Sequence, residues 1–311
     1  KCSAVSLAIV EGSVYDDPAF LRQLRDATAS LVVGPAWDPR TDVVPLIRQP
    51  SGATLRALTT LDAGESWLVA PRVSPDNPHL WSPGVRLGVQ RGSWFQQTEC
   101  FGPALGVIRV SDLDEAIEVQ NDTAFGLTAG IHSLDPQEVK RWTQQVQAGN
   151  LYINRTITGA IVRRQPFGGW KRSSVGPTAK AGGPNYVMAL GTWRQIADPQ
   201  ESEVLMPKVF DLIESWRSEL DEVSLTAVTA AARSFARWWR DEFSIEHDPS
   251  RLRSETNSFR YRPLTEGVIL RAAHDVTTLD IVVVVIASVT TGVPLCISTA
   301  VPLMFHPNVN V

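Results

Sequence analysis

Residues 105–154 read LGVIRVSDLDEAIEVQNDTAFGLTAGIHSLDPQEVKRWTQQVQAGNLYIN, and this stretch decides the fold class. Leu105 to Val110 is an apolar run of strand length. Leu113 to Asn121 and Pro136 to Ala148 carry helical spacing, with Ser111 and Asp135 as caps, and Leu127 to His132 and Leu151 to Asn154 read as strands. Strand and helix alternate, which predicts an α/β chain built on an open sheet.

The same texture extends upstream. Val5, Leu7 and Ile9 alternate with smaller or polar residues as a strand, Pro18 to Val33 has helical spacing behind Asp16 and Asp17, and Thr54 to Leu61 suits a further helix. Trp67 to Val73 and Val85 to Gln90 read as strands between Pro/Gly punctuation. Downstream, Thr156 to Pro184 is loop-like and rich in Gly, Pro, Lys and Arg, and a loop of that length inside a domain is more often functional than idle. A boundary is expected near residue 197. Beyond it lie two amphipathic helices, Glu203 to Asp221 and Ser224 to Phe243, and a charged connector, Asp248 to Arg262. Val268 to Ala273, Leu279 to Thr290 and Val293 to Ser298 then read as β-α-β, half of a nucleotide fold without the GxGxxG that phosphate binding would need. The expected domains are therefore 1–197, an open α/β sheet, and 198–311, a helical linker followed by a partial Rossmann-like unit.

Composition removes several function classes. With 43% hydrophobic residues and 10 Trp among 311 residues, the chain can bury a core. A net charge of -4 without a Lys/Arg run argues against nucleic acid. The longest apolar run, Ile281 to Ser288, is far short of a membrane span. Cys2, Cys100 and Cys296 are odd in number and lack ligand spacing, against both a disulfide framework and a metal site, and a reducing cytoplasm suits them. The first residue is Lys1 rather than Met, and the chain reads as a fragment.

Chemistry-bearing residues come next. An isolated cysteine such as Cys2 is more often a small buried hydrophobe than a nucleophile, although its place ahead of a strand would present a thiolate at the lip of a cleft. In Thr98-Glu99-Cys100-Phe101-Gly102-Pro103, a carboxylate before an aromatic and a Gly-Pro turn can accept hydrogen bonds from a ribose. In Gly176-Pro177-Thr178-Ala179-Lys180-Ala181-Gly182-Gly183-Pro184-Asn185-Tyr186, backbone N–H groups at a Gly-Gly pair can approach a carboxylate because no side chain intervenes.

Cys2-Ser3-Ala4, Glu99 to Pro103, Asn121 to Gly130, Gly149 to Asn154 and Gln165-Pro166-Phe167-Gly168-Gly169 follow one another in the order and approximate spacing of the aldehyde dehydrogenase superfamily, which residues 1 to about 195 resemble. The Lys180 to Pro184 pattern resembles the aldehyde-anchor loop of the 1-pyrroline-5-carboxylate dehydrogenases, including the dehydrogenase half of bifunctional proline utilization A proteins. Trp170 to Val175 depart from the small residues common after the Phe-Gly-Gly motif. Less specifically, residues 198–311 resemble the non-catalytic C-terminal extension of long proline-catabolic dehydrogenases, Arg253 to Pro263 entering the β-α-β unit as theirs does, which implies a structural or assembly role.

This resemblance implies NAD-dependent oxidation of L-glutamate γ-semialdehyde to L-glutamate, a small-molecule reaction of proline catabolism. Cys2 would be the nucleophile. Glu99 would bind the nicotinamide ribose and Phe101 would pack beside the cofactor. Ser3, Gly182 and Gly183 would anchor the substrate carboxylate, and Phe167 would flank its aliphatic part. Asn154 and Arg164 receive no role. FAD is expected only if a proline dehydrogenase domain precedes this chain, and no metal is expected. The family's general-base Glu, its oxyanion Asn and its dinucleotide-binding unit precede the nucleophile, so the chain alone is expected to be inactive. Tyr186 to Trp193 resembles the exposed strand with which the family pairs subunits, which implies a homo-oligomer. The alternatives are a dehydrogenase for another aldehyde and a non-catalytic scaffold remnant.

Overall fold

A computed structural model describes residues 2–174, 180–192, 194, 203–264 and 266–299. The chain divides into two compact units, Lys1–Leu190 and Gly191–Val311. The boundary expected near residue 197 lies outside the described residues.

In the first unit a four-stranded sheet has the order Leu7–Glu11, Ala104–Val110, Gly84–Leu87, Ser66–Val69. The first three strands run parallel and the last is antiparallel. Val107, Ile108 and Val110 on the second strand are buried, as a central strand of an α/β sheet requires. A separate parallel pair, Thr128–Ile131 with Asn150–Ile153, is joined by the crossover helix Pro136–Gln145. The helix Leu113–Asn121 serves two clusters of buried residues: Val119 packs with Phe95, Cys100 and Ile108, and Ile117 with Trp142 and Val146. Two residues along a helix turn the side chain by about 200°, so these neighbours face opposite ways and the helix is covered on both sides.

Local chemistry sets most helix ends. Asp17 accepts from Ala19 N–H at 2.8 Å ahead of Pro18–Ala29, and Asp135 accepts from Gln137 N–H at 2.7 Å ahead of Pro136–Gln145. At Leu113–Asn121 the cap is Asp112, which accepts from Glu115 N–H at 2.9 Å, and not the expected Ser111. Ser111 instead donates its N–H and hydroxyl to the Glu115 carboxylate at 2.6 and 2.8 Å. Asp112→Ala is therefore expected to lower the thermal midpoint by a few degrees and Ser111→Ala by less, read by circular dichroism. Equal losses would contradict this assignment.

Two further expectations change. Trp67 to Val73 is broken after Val69, because Val73–Ser74 turns to pair with Asn77–Trp81, a hairpin whose Pro78 hid it in the sequence. Where Tyr186 to Trp193 was expected as an exposed strand, Val187–Leu190 form a 3-10 turn. A strand needs a ladder partner, and none pairs with these residues among those described. Trp193 itself lies outside the described residues.

The second unit is built on Pro207–Ser215, Glu222–Trp238 and Thr278–Thr291. Val209, Ile213, Val228, Ala232, Val282 and Ile286 share one cluster, so the helices expected as a linker form the core on which the β-α-β crossover packs. The first helix begins only at Pro207 because proline lacks an N–H and suits the first helical position, with extended backbone before it. Val268–Ala272 and Leu295–Thr299 pair in parallel, and the helix between them starts in a Thr277–Asp280 capping box and ends at Gly292, φ +70°. No helix among the described residues is long and apolar enough to cross a membrane.

Candidate active site

Cys2 is exposed and Ser3 half-buried in the turn that leads into Leu7–Glu11. That strand pairs in parallel with Ala104–Val110, Leu7 opposite Gly106, and Gly106 N–H donates to the Ser6 carbonyl at 2.9 Å. Parallel neighbours begin at the same sheet edge. The register therefore brings the segment carrying Cys2 and Ser3 and the segment carrying Glu99 and Phe101 to one edge.

Glu99 and Phe101 point outward because Cys100 between them points inward. Cys100 belongs to the cluster with Phe95 and Ile108, and its Sγ donates to the Thr98 carbonyl at 3.4 Å. Burial pushes the Cys100 thiol pKa up, which keeps it protonated and poorly nucleophilic. Glu99 is exposed and Phe101 is 56% exposed. A carboxylate without a hydrogen-bond partner among the described residues, next to an open ring, can accept from ribose hydroxyls and cover a planar group. Gly102 lets the following turn lie close, since a Cβ there would stand 2.8 Å from the Thr54 methyl group.

The long loop is pinned rather than free. Phe167 and Ala181 exchange backbone hydrogen bonds at 3.0 and 2.9 Å, which sets Phe167 beside the Lys180 to Gly183 turn. Asn150 holds one arm, donating from Nδ2 to the Pro166 carbonyl at 2.9 Å and accepting Gly168 N–H on Oδ1 at 3.2 Å. Lys180 holds the other through Nζ, which donates to the Gly149 carbonyl, and burial lowers its pKa to about 8. Arg163 N–H donates to the Gly182 carbonyl at 2.9 Å. Gly176 to Ala179 of the expected anchor motif lie outside the described residues.

The Gly-Gly expectation is altered in one respect. Gly183 N–H donates to the Lys180 carbonyl at 2.8 Å and closes the turn, so it is not an open donor for a carboxylate. Gly182, at φ +75°, keeps its N–H without an acceptor among the described residues. Asn154, at φ +54°, spends its amide on Ser133, accepting at 3.0 Å and donating at 2.9 Å. That is a structural clamp.

Two groups of site residues result, Cys2–Ser3 with Glu99–Phe101 at the sheet edge and Phe167 with Gly182–Gly183 on the loop. No hydrogen bond among the described residues joins Cys2 or Glu99 to that loop. The sequence left Gly149, Asn150 and Lys180 without roles, although all three stand inside motifs it singled out. Their signal is tertiary: a side chain on Gly149 would overlap the Gly168 carbonyl.

The aldehyde dehydrogenase family model matches residues 1–196. Over 188 residues the chain is 36% identical to 1-pyrroline-5-carboxylate dehydrogenase 2 of Bacillus subtilis, covering 60% of this chain and 36% of that relative. The structure of Proline Utilization A from Corynebacterium freiburgense superposes with a TM-score of 0.85 at 45% identity, covering 98% of this chain and 30% of that one. That likeness extends past residue 196 into the second unit. An NAD-bound 1-pyrroline-5-carboxylate dehydrogenase from Thermus gives a TM-score of 0.53 at 35% identity over 60% of this chain and 36% of its own. The chain thus spans about a third of the length of these relatives.

Proposed function

The chain belongs to the aldehyde dehydrogenase family, and from that premise we propose that the protein carrying it oxidises L-glutamate γ-semialdehyde to L-glutamate with NAD. The observation that carries the substrate reading is the Phe167–Ala181 bridge, which sets the backbone of Phe167 beside the turn of Gly182, whose N–H has no acceptor among the described residues. Such a site suits a short aliphatic chain that ends in a carboxylate. Relatives named 1-pyrroline-5-carboxylate dehydrogenase support the same choice.

In the proposed mechanism the Cys2 thiolate attacks the aldehyde carbon, forming a C–S bond while the carbonyl π pair becomes an alkoxide. Collapse of this thiohemiacetal expels hydride and leaves a thioester, and attack by water on the thioester carbon breaks the C–S bond, releasing the carboxylate, restoring the thiolate and giving two protons to solvent. NAD, when bound, supplies the acceptor for that hydride. Glu99 would accept from its ribose and Phe101 would pack beside it. Ser3 and the Gly182 N–H hold the substrate carboxylate, Gly183 keeps the turn closed and free of a side chain, and Phe167 packs on the methylene chain. By itself the chain is proposed to be inactive, and a homo-oligomer in the cytoplasm is the proposed working form.

The test uses the full-length protein. With NAD, kcat/KM for glutamate semialdehyde is expected to exceed that for butanal by about 10²-fold or more, because a site built for a polar head leaves its groups unpaired around an aliphatic chain. Equal values would move the protein to another aldehyde, and no NAD reduction with any aldehyde would favour a scaffold.

A further inference from the structure

We propose that Lys180 is a positioning residue for substrate: tied to the Gly149 carbonyl, its ammonium holds the Phe167–Ala181 bridge and the Gly182–Gly183 turn in the form that receives the charged head of an amino-acid aldehyde. The inference rests on the anchoring role proposed above for that turn.

Three features converge on it. The stem of Lys180 crosses Gly168, where an added Cβ would lie 3.0 Å from its Cγ and 3.3 Å from its Cα, so a side chain at that position would crowd this lysine. Asn150 fixes the 166–168 arm from the neighbouring position, so Gly149 and Asn150 together grip both arms of the loop. The residues shown beside Lys180 among those described, Gly149, Gly168 and Gly183, carry no titratable side chain. A partly desolvated cation without an anion among those residues is a poor choice for packing alone, where methionine would fill similar space without desolvating a charge. Beside Gly182, whose N–H has no acceptor among the described residues, that charge favours an arriving carboxylate.

The sign of the pH response separates this role from simple packing. The ammonium pKa is about 8 in the fold and near 10.4 in an unfolded chain, so between these values the unfolded chain binds more protons and folded stability rises with pH. Over the same window the neutral amine grips the carbonyl less strongly, so head-group binding weakens. Binding and stability move in opposite directions.

The test is calorimetric titration of L-glutamate, the product that carries the same head group, into the full-length protein and its Lys180→Met variant at pH 7 and pH 9, with thermal melts alongside. At pH 7, Lys180→Met is expected to weaken glutamate binding about tenfold or more and to raise KM for the semialdehyde far more than it lowers kcat. From pH 7 to pH 9 the wild type is expected to lose more affinity than Lys180→Met while its melting temperature gains relative to the variant's. If Lys180→Met does not fold, Lys180→Arg, which stays charged at pH 9, is expected to abolish the pH-dependent loss. Equal glutamate affinity of wild type and Lys180→Met at pH 7, or in the Arg case an unchanged pH profile, overturns the inference and leaves the proposed reaction standing. A wild type that neither binds glutamate nor prefers the semialdehyde overturns the reaction, and this inference with it.

Discussion

Cys2→Ser in the full-length protein is expected to cut the rate of NAD reduction by about 10³-fold or more, with the melting temperature unchanged. The hydroxyl that replaces the thiol stays protonated near neutral pH and is a weak nucleophile without a base to activate it, whereas a thiol supplies thiolate. The fold should not notice, because Cys2 is exposed and stands outside the buried clusters. Cys296→Ala is the control: that thiol is exposed in the second unit, and its loss should leave the rate alone. Residual activity of Cys2→Ser above about a tenth of wild type would remove Cys2 from the mechanism, since a drop in kcat/KM of that size is about 1.4 kcal/mol and far below what a lost nucleophile costs.

Arg86→Met is expected to destabilise the first unit by about 3–5 kcal/mol in urea denaturation, since it leaves a buried carboxylate without its counter-charge. Arg86 and Glu65 pair at 2.8 Å with side chains 1% and 2% exposed. The guanidinium also donates to the Ala57 and Thr60 carbonyls at 2.5 and 3.0 Å and lies 4.2 Å from the centre of the Phe95 ring. Burial lowers the Arg86 pKa and Glu65 opposes the fall. Replacing both partners by apolar residues, Arg86→Met with Glu65→Leu, should restore most of the loss, because the orphaned charge and not the missing attraction is what hurts. A double variant no better than Arg86→Met would contradict that account. The site is expected to feel the single change as well: Phe95 lies in the turn Trp94–Gln97 that leads into Glu99, so NAD affinity should weaken along with stability.

What could be read along the chain was local. The alternation of strands and helices from Leu105 to Asn154 and the caps at Asp17 and Asp135 depend on residues a few positions apart, and each behaves as its chemistry requires. Even locally, two cap-type residues side by side defeated the rule at Ser111 and Asp112, because the deciding variable was which of them has its side chain within reach of Glu115 N–H. The hairpin at Val73 to Trp81 was hidden by Pro78, which speaks against a central strand but not against an edge.

The sequence by itself determined the family and the α/β class, and it supplied the candidates for the proposed chemistry. Only the tertiary structure decided how they are held: that Gly183 closes a turn while Gly182 keeps its donor, that Lys180 reaches Gly149 across 31 positions, and that Arg86 meets Glu65 across 21. The physical reason is that periodicity and capping are written in neighbouring residues. The partner of a buried amide or charge is fixed only when distant backbone closes around it and no water is left to take its place.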